Sequence, residues 1–288
     1  MSLGRVGVWL GSIGLLGADE ERAAARELEA AGYETIWFGE SPFNKEALSH
    51  AALLLDATER VSVATGIANI WLRSPTSAAN GAATLAEAHP GRFVLGLGVS
   101  HAPSVALTGQ DYSKPLTRMR EYLDAMDAGR YTAASPAEPA PRVLAALGPK
   151  MLELARDRTQ GAHPYLVTPE HTRYAREVLG TGPWLAPEQA FVLERDPEQA
   201  RTIARGHLDT YIALPNYRNN WLRNGFDESD VADGGSDRLV DALVAWGDED
   251  AVRKRFEEHV SAGADHVALQ ALGRDPVGQL TRLARALR

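Results

Sequence analysis

Three residues of this 288-residue chain combine a reactive side chain with a place just beyond an apolar run: Glu40 after ETIWFG, His101 after RFVLGLGVS, and Lys150 after RVLAALGP. Imidazole ordinarily titrates near neutrality, so His101 can give or take a proton or polarise an atom that receives hydride; a solvated loop histidine is the competing role. Glu40 can handle a proton or hydrogen-bond a bound heterocycle, or it can cap the following loop as a surface carboxylate. Leu147, Gly148 and Pro149 lead into a helix whose first N–H groups and positive end suit a phosphate, with Lys150 adding charge and Thr168 a hydroxyl. An ordinary helix start with a solvated lysine is the plainer alternative.

The stretch VATGIANIWLRSP, residues 63–75, opens as a buried strand through Thr65 and breaks at Gly66. It then spills Ile67, Asn69, Trp71 and Arg73 ahead of the next helix. Gly66 is either a simple strand-end glycine or a place where a ligand comes close to the backbone. Asn69 and Trp71 are candidates for substrate contact, while Trp9, Tyr217 and Trp221 could line a pocket or pack a core or lid. LGLGVSH contains GxG but neither the third glycine nor the βαβ setting of a dinucleotide fingerprint, so no classical NAD site is expected there. Gly98 is read instead as letting a ring edge approach a strand end, with Ser100 and His101 at the mouth. The eight histidines are scattered and form no HExxH pair, so no metal site is expected.

The elements that must carry these residues follow a regular order. Eight short apolar or β-branched runs (5–10, 34–39, 61–66, 92–98, 142–147, 163–167, 190–194 and 265–272) alternate with helical patterns such as Leu116, Met119, Leu123 and Met126. Strand then helix, repeated, means parallel pairing, and eight repeats predict a closed (β/α)8 TIM barrel rather than a doubly wound sheet. Asp19 is expected to cap a helix over 20–31 that stops at Gly32, and Ser74–Pro75 and Thr168–Pro169 mark two further helix starts. In such a barrel the strand ends and the loops after them form the site.

Residues 130–141, rich in proline and alanine, read as a surface loop. The stretch from 195 to 264 is too long for one helix and predicts an insertion or lid, roughly 206–247, between strands 7 and 8. No linker composition isolates it, so 1–288 reads as one domain.

Composition narrows the function. There is no cysteine, which excludes disulfides, thiolate metal ligands and cysteine nucleophiles and assigns any redox chemistry to a bound cofactor. The net charge of −8 argues against a nucleic-acid surface. No apolar run approaches the ~20 residues needed to span a bilayer, and the start lacks a signal-peptide core, so no membrane association and a cytoplasmic location are expected.

The run TGIANIWLRSPTSAANGAATLAEAHPGRFVLGLGVSH (65–101) resembles the third and fourth strand region of bacterial luciferase-like oxidoreductases, particularly their coenzyme F420-dependent branch. VLAALGPKMLELA (143–155) and WGDEDAVRKRFEEHVSAGADHVALQAL (246–272) resemble that family's fifth-strand loop and its closing helix and strand. The resemblance implies a non-prolyl cis peptide at Gly66–Ile67, forming a bulge behind the deazaflavin ring with Thr65, Gly66 and Ile67 as cofactor contacts, and a cofactor phosphate on the loop of Leu147, Gly148 and Pro149. It implies an F420-dependent oxidoreductase passing hydride to or from a small organic substrate, with homodimers frequent among relatives. The family often has an aspartate followed by histidine where this chain has Glu40 and Ser41, which leaves that histidine's role unfilled. An FMN-dependent monooxygenase of the same superfamily, or a non-catalytic flavin-binding barrel, are the competing readings.

Overall fold

β-Branched and aromatic residues crowd the runs VGVW, TIWF and SVAT, where they pack well on a pleated surface. These runs form β1 (Val6–Trp9), β2 (Thr35–Phe38) and β3 (Ser62–Thr65). The computed structural model, which describes residues 2–287, continues with β4 (Ala68–Asn69), β5 (Phe93–Gly98), β6 (Arg142–Leu144) and β7 (Gly161–Ala162). Then come β8 (Trp184–Leu185), β9 (Glu188–Val192), β10 (Val244–Trp246) and β11 (Val267–Ala271). The helices over the first half are α1 (Ala18–Ala31), α2 (Ala47–Ala57), α3 (Pro75–Ala88), α4 (Ala102–Ala106) and α5 (Pro115–Asp127). Those over the second half are α6 (Pro149–Arg158), α7 (Pro169–Leu179), α8 (Pro197–Ile212), α9 (Pro215–Arg223), α10 (Asp237–Leu243), α11 (Glu249–Ser261) and α12 (Pro276–Leu283).

Every strand pair among the described residues is parallel, as the alternation demands. The order β11–β1–β2–β3–β5–β6–β7–β8 leaves one junction to close the ring, and residues 184–192 supply it. β8 pairs with β7 and β9 with β11; between them Ala186 N donates to Ala162 O at 2.9 Å while Ala268 N donates to Pro187 O at 2.9 Å. The result is the expected (β/α)8 barrel, with β10 an additional short strand beside β9. β3 breaks at Gly66–Ile67, a cis peptide, and resumes as β4 against Leu97 and Gly98 of β5.

Two layers of side chains fill the molecule. Trp37, Ala64, Val94, Val143 and Ala268 occupy the barrel interior, and Leu28, Ile36, Leu54, Phe93 and Leu123 seal the helices to the outer face of the strands. Each fully buried large side chain of this kind contributes roughly 1.5–3 kcal/mol.

The sequence expectations fail in three places. The sixth strand lies at 161–162 and not at 163–167, because Pro164 has no N–H to donate and Leu166 sits at a positive φ of 51°. α1 is capped by Gly17, whose N–H donates to Glu20 Oε2 at 3.0 Å; Asp19 is already in the first turn, where its charge favours the helix dipole. β10 was unforeseen, since its three residues follow α10 without a break. Ser74 and Thr168 do cap their helices, accepting from Ser77 N and His171 N, and Gly32 ends α1 at φ 97°. Residues 130–141 are irregular and largely exposed. No helix among the described residues is long and apolar enough to cross a membrane.

Candidate active site

The C-terminal ends of the strands surround a cavity of about 1070 Å³. Trp9 ends β1, Gly39 and Glu40 follow β2, Gly66 and Ile67 follow β3, and Val99 to His101 follow β5. Ala145 to Lys150 follow β6, His163 and Tyr165 follow β7, and Gln270 and Ala271 end β11. α8 and α9 close the far side with His207, Tyr211, Asn216, Tyr217 and Arg223. At this size the cavity matches the upper range of cofactor and small-molecule sites.

The floor is set by what Gly66 leaves out. A Cβ on Gly66 would lie 2.7 Å from Trp9 Nε1 and 3.0 Å from His163 Nε2, so no side chain fits without displacing one of the two rings. Both of those nitrogens are buried and without a protein partner. His163 stacks on Trp37 with ring centroids 4.3 Å apart, and its Nδ1 donates to Ala186 O at 2.6 Å. Burial pushes the His163 pKa down to about 4, so at neutral pH its Nε2 is an acceptor. A buried donor and a buried acceptor thus flank one Cβ-free position, and such groups call for a ligand's complementary atoms or water.

At the other end the β6–α6 loop leads into a helix at Pro149, the helix start that the sequence indicates. Gly148 is the N-cap of α6 and Pro149, at its first position, has no N–H; Met151 N donates back to Gly148 O at 3.2 Å, so the first turn leaves the Lys150 N–H without a partner within the helix. Leu147, Gly148, Pro149 and Lys150 all border the cavity, and Arg223 of α9 brings a second cation to Gly148, where a Cβ would stand 3.6 Å from its Nη2. His171 Nε2 donates to Leu147 O at 2.9 Å and pins the loop from α7.

The remaining expected residues divide. Ser100 and His101 are at the cavity, Ser100 at a positive φ of 55°. Glu40 borders the cavity, but its carboxylate is 3% exposed and already saturated. It accepts from Ala47 N (3.0 Å) and Asn69 N (2.8 Å) and forms a two-pronged pair with Arg73, one prong 2.7 Å long. Glu40 therefore ties the β2–α2 loop to the segment after β4, which corrects the expectation of a free proton carrier. Thr65, Gly98, Asn69, Trp71 and Thr168 stand behind the wall. The Thr65 hydroxyl donates to Gly96 O at 2.7 Å, and Gly98 has no side chain because Ile67 occupies the space. Asn69 Oδ1 accepts from Trp71 N (3.0 Å), and Trp71 Nε1 donates to Val99 O (2.8 Å). The Thr168 hydroxyl is spent on capping α7.

Sequence reasoning missed an aromatic wall. Tyr165 lies 5.0 Å from Trp9 and 5.4 Å from Tyr211, ring centre to ring centre; Tyr211 is 5.1 Å from Tyr217, and Tyr217 5.6 Å from His101. Tyr165 Oη donates to Gln270 Oε1 at 2.8 Å and is 3.2 Å from His207 Nε2. Burial pushes His207 down to about 4 and lowers His101, the latter partly offset by a hydrogen bond with Asn216, so both rings are neutral in the cavity. Behind them Glu188 is fully enclosed, and desolvation raises its pKa to about 8 although Leu166 N donates to it. The available signals were spacings: His163 and Tyr165 share one side of an extended run, and His207, Thr210 and Tyr211 share one face of a helix. Of the aromatics that were proposed, Trp9 and Tyr217 do line the cavity, whereas Trp221 is packed away with Nε1 donating to Leu166 O.

This architecture has close counterparts. A 5,10-methylenetetrahydromethanopterin reductase of Methanolobus tindarius is 23% identical over 285 residues, covering 84% of this chain and 87% of its own. An F420-dependent secondary alcohol dehydrogenase solved with an F420-acetone adduct superposes over the full length of both chains with a TM-score of 0.78 at 18% identity. The oxygenating constituent of 3,6-diketocamphane monooxygenase from Pseudomonas putida, a type II Baeyer-Villiger enzyme solved with FMN, gives a TM-score of 0.72 at 15% identity, covering 98% of this chain and 96% of its own. The family model for luciferase-like monooxygenases matches residues 1–266, and the chain belongs to that family.

Proposed function

We propose that this protein is a coenzyme F420-dependent oxidoreductase that passes a hydride between the deazaflavin and a small organic substrate. The observation that carries the reading is the floor of the cavity, where the unpaired Trp9 donor and His163 acceptor flank a glycine with no room for a Cβ. That floor suits the polar edge and flat face of a heterocyclic ring, and the N-terminus of α6 with Lys150 and Arg223 suits the phosphate of its tail. The fold shared with an enzyme solved with an F420 adduct supports the same choice. F420, when bound, supplies a ring carbon that gives or receives hydride.

The chain's own contribution is position, dryness and a proton. Trp9, His163 and Gly66 orient the ring end, and Leu147 to Lys150 with Arg223 hold the tail. Tyr165, Tyr211 and Tyr217 exclude water from the space between. His101, neutral and with Nδ1 buried and unpartnered, is the group able to exchange a proton at the reacting end. The segment 206–247, with α9 in its middle, acts as the lid that completes this chamber.

Titrating purified protein with F420 and with FMN, each followed by its own fluorescence, tests the proposal. F420 is expected to bind the more tightly, and His101→Ala to retain that binding while turnover falls ~10²-fold or more. Tight binding of FMN with none of F420 would overturn the reading in favour of a flavin monooxygenase; F420 binding without turnover on any donor or acceptor would leave only a non-catalytic barrel.

A further inference from the structure

The charged residues bordering the cavity, histidines aside, are Glu40, Lys150 and Arg223. Glu40 is neutralised by Arg73, and Lys150 and Arg223 both stand at the β6–α6 loop, where the preceding proposal needs them for the cofactor tail. The half of the cavity under α8 and α9 is walled by Trp9, Tyr165, Tyr211, Tyr217, His101 and His207, and burial keeps both of these histidines neutral. Ring centroids 5.0–5.6 Å apart from Trp9 through Tyr165, Tyr211 and Tyr217 to His101 make a continuous aromatic surface. Within that surface Tyr165 is satisfied by Gln270, whereas Tyr211 Oη reaches its nearest partner, Tyr165 Oη, only at 3.4 Å. At that length the Tyr211 hydroxyl hydrogen is weakly held and free to turn to a better acceptor.

We infer, taking this cavity as the active site, that the substrate is an uncharged molecule with a hydroxyl or carbonyl oxygen on an apolar, aromatic-sized body, its oxygen on Tyr211 and its body against Tyr165, Tyr217 and Trp9. A carboxylate or phosphate at the same place would lose its hydration with no cation to replace it. Aromatic walls of this kind gain from offset and edge contacts with a flat apolar body.

Calorimetric titration of the purified full chain with acetophenone and with 4-acetylbenzoate tests the inference. The same titrations on Lys150→Ala/Arg223→Ala ensure that the anion is not simply collected by the tail site. Acetophenone is expected to bind at least ten-fold more tightly than 4-acetylbenzoate to this double variant, and Tyr211→Phe to weaken acetophenone about five-fold while leaving toluene unchanged. Equal or tighter binding of 4-acetylbenzoate, or binding of neither probe, overturns the inference. The measurement needs no F420, so loss of F420 binding with the neutral preference intact sinks the cofactor assignment alone.

Discussion

Replacing Glu40 by glutamine separates a positioning role from a chemical one. The carboxylate accepts four hydrogen bonds, two from backbone N–H groups and two from the Arg73 guanidinium, and the side chains of the pair are 3% and 6% exposed. Glutamine has one acceptor oxygen, so its amide NH2 must face either the Ala47 N–H or the Asn69 N–H, leaving a buried donor unpaired at a cost of about 1–3 kcal/mol. Arg73 simultaneously loses its buried countercharge, and breaking a buried pair costs about 3–5 kcal/mol in total, nearer the lower figure here because Arg73 keeps a 2.8 Å contact with the half-exposed Glu46. At roughly 2 °C per kcal/mol for a chain of this size, Glu40→Gln should melt about 6 °C below the parent by scanning calorimetry. Glu40→Gln/Arg73→Met, which removes both charges while keeping one acceptor for the backbone N–H groups, should recover the part of that loss that comes from the unpaired guanidinium and leave the part that comes from the unpaired N–H. A Glu40→Gln protein that melts with the parent yet has lost turnover would refute the reasoning and return the carboxylate to the chemistry.

Two further outcomes follow from buried groups. Glu188 has its folded pKa raised to about 8 by burial, so its stabilising protonated form is complete below the ordinary carboxylate range and is lost as pH rises toward 8. The stability of Glu188→Gln relative to the parent, from urea midpoints, should therefore climb between pH 5 and pH 8; a constant difference would show that Glu188 is not the protonated group. Gly66→Ala must displace Trp9 or His163, costing about 1–3 kcal/mol in urea unfolding and weakening F420 binding ten-fold or more; parental affinity would mean that the ring does not lie there.

The barrel was legible because each strand announces itself by β-branched and aromatic density and each helix by its own period, and those local signals agree with the closed sheet. Loop glycines and helix starts were equally plain: Gly66 and Gly148 both border the cavity, and at Gly66 a Cβ would have no room. What stayed hidden depended on distance in sequence. Nothing near Glu40 shows that Arg73, 33 residues on, will consume it. Nothing near Tyr165 shows that Gln270, 105 residues on, will accept the hydrogen bond of its hydroxyl. Asn69 and Trp71 were placed on the wall from their position after β3 and Thr65 from its place at the end of that strand, yet their polar groups bond the neighbouring strand and loops instead.

α9 spans only nine residues, about 13 Å of helix, yet it presents Tyr217 near one extremity and Arg223 at the other. Whatever grasps the arginine and whatever rests on the tyrosine push on opposite ends of one short rod. A rod of that length moves as one piece, so under the proposed reading the tail site and the substrate site share a single element, and a displacement of one end is a displacement of the other.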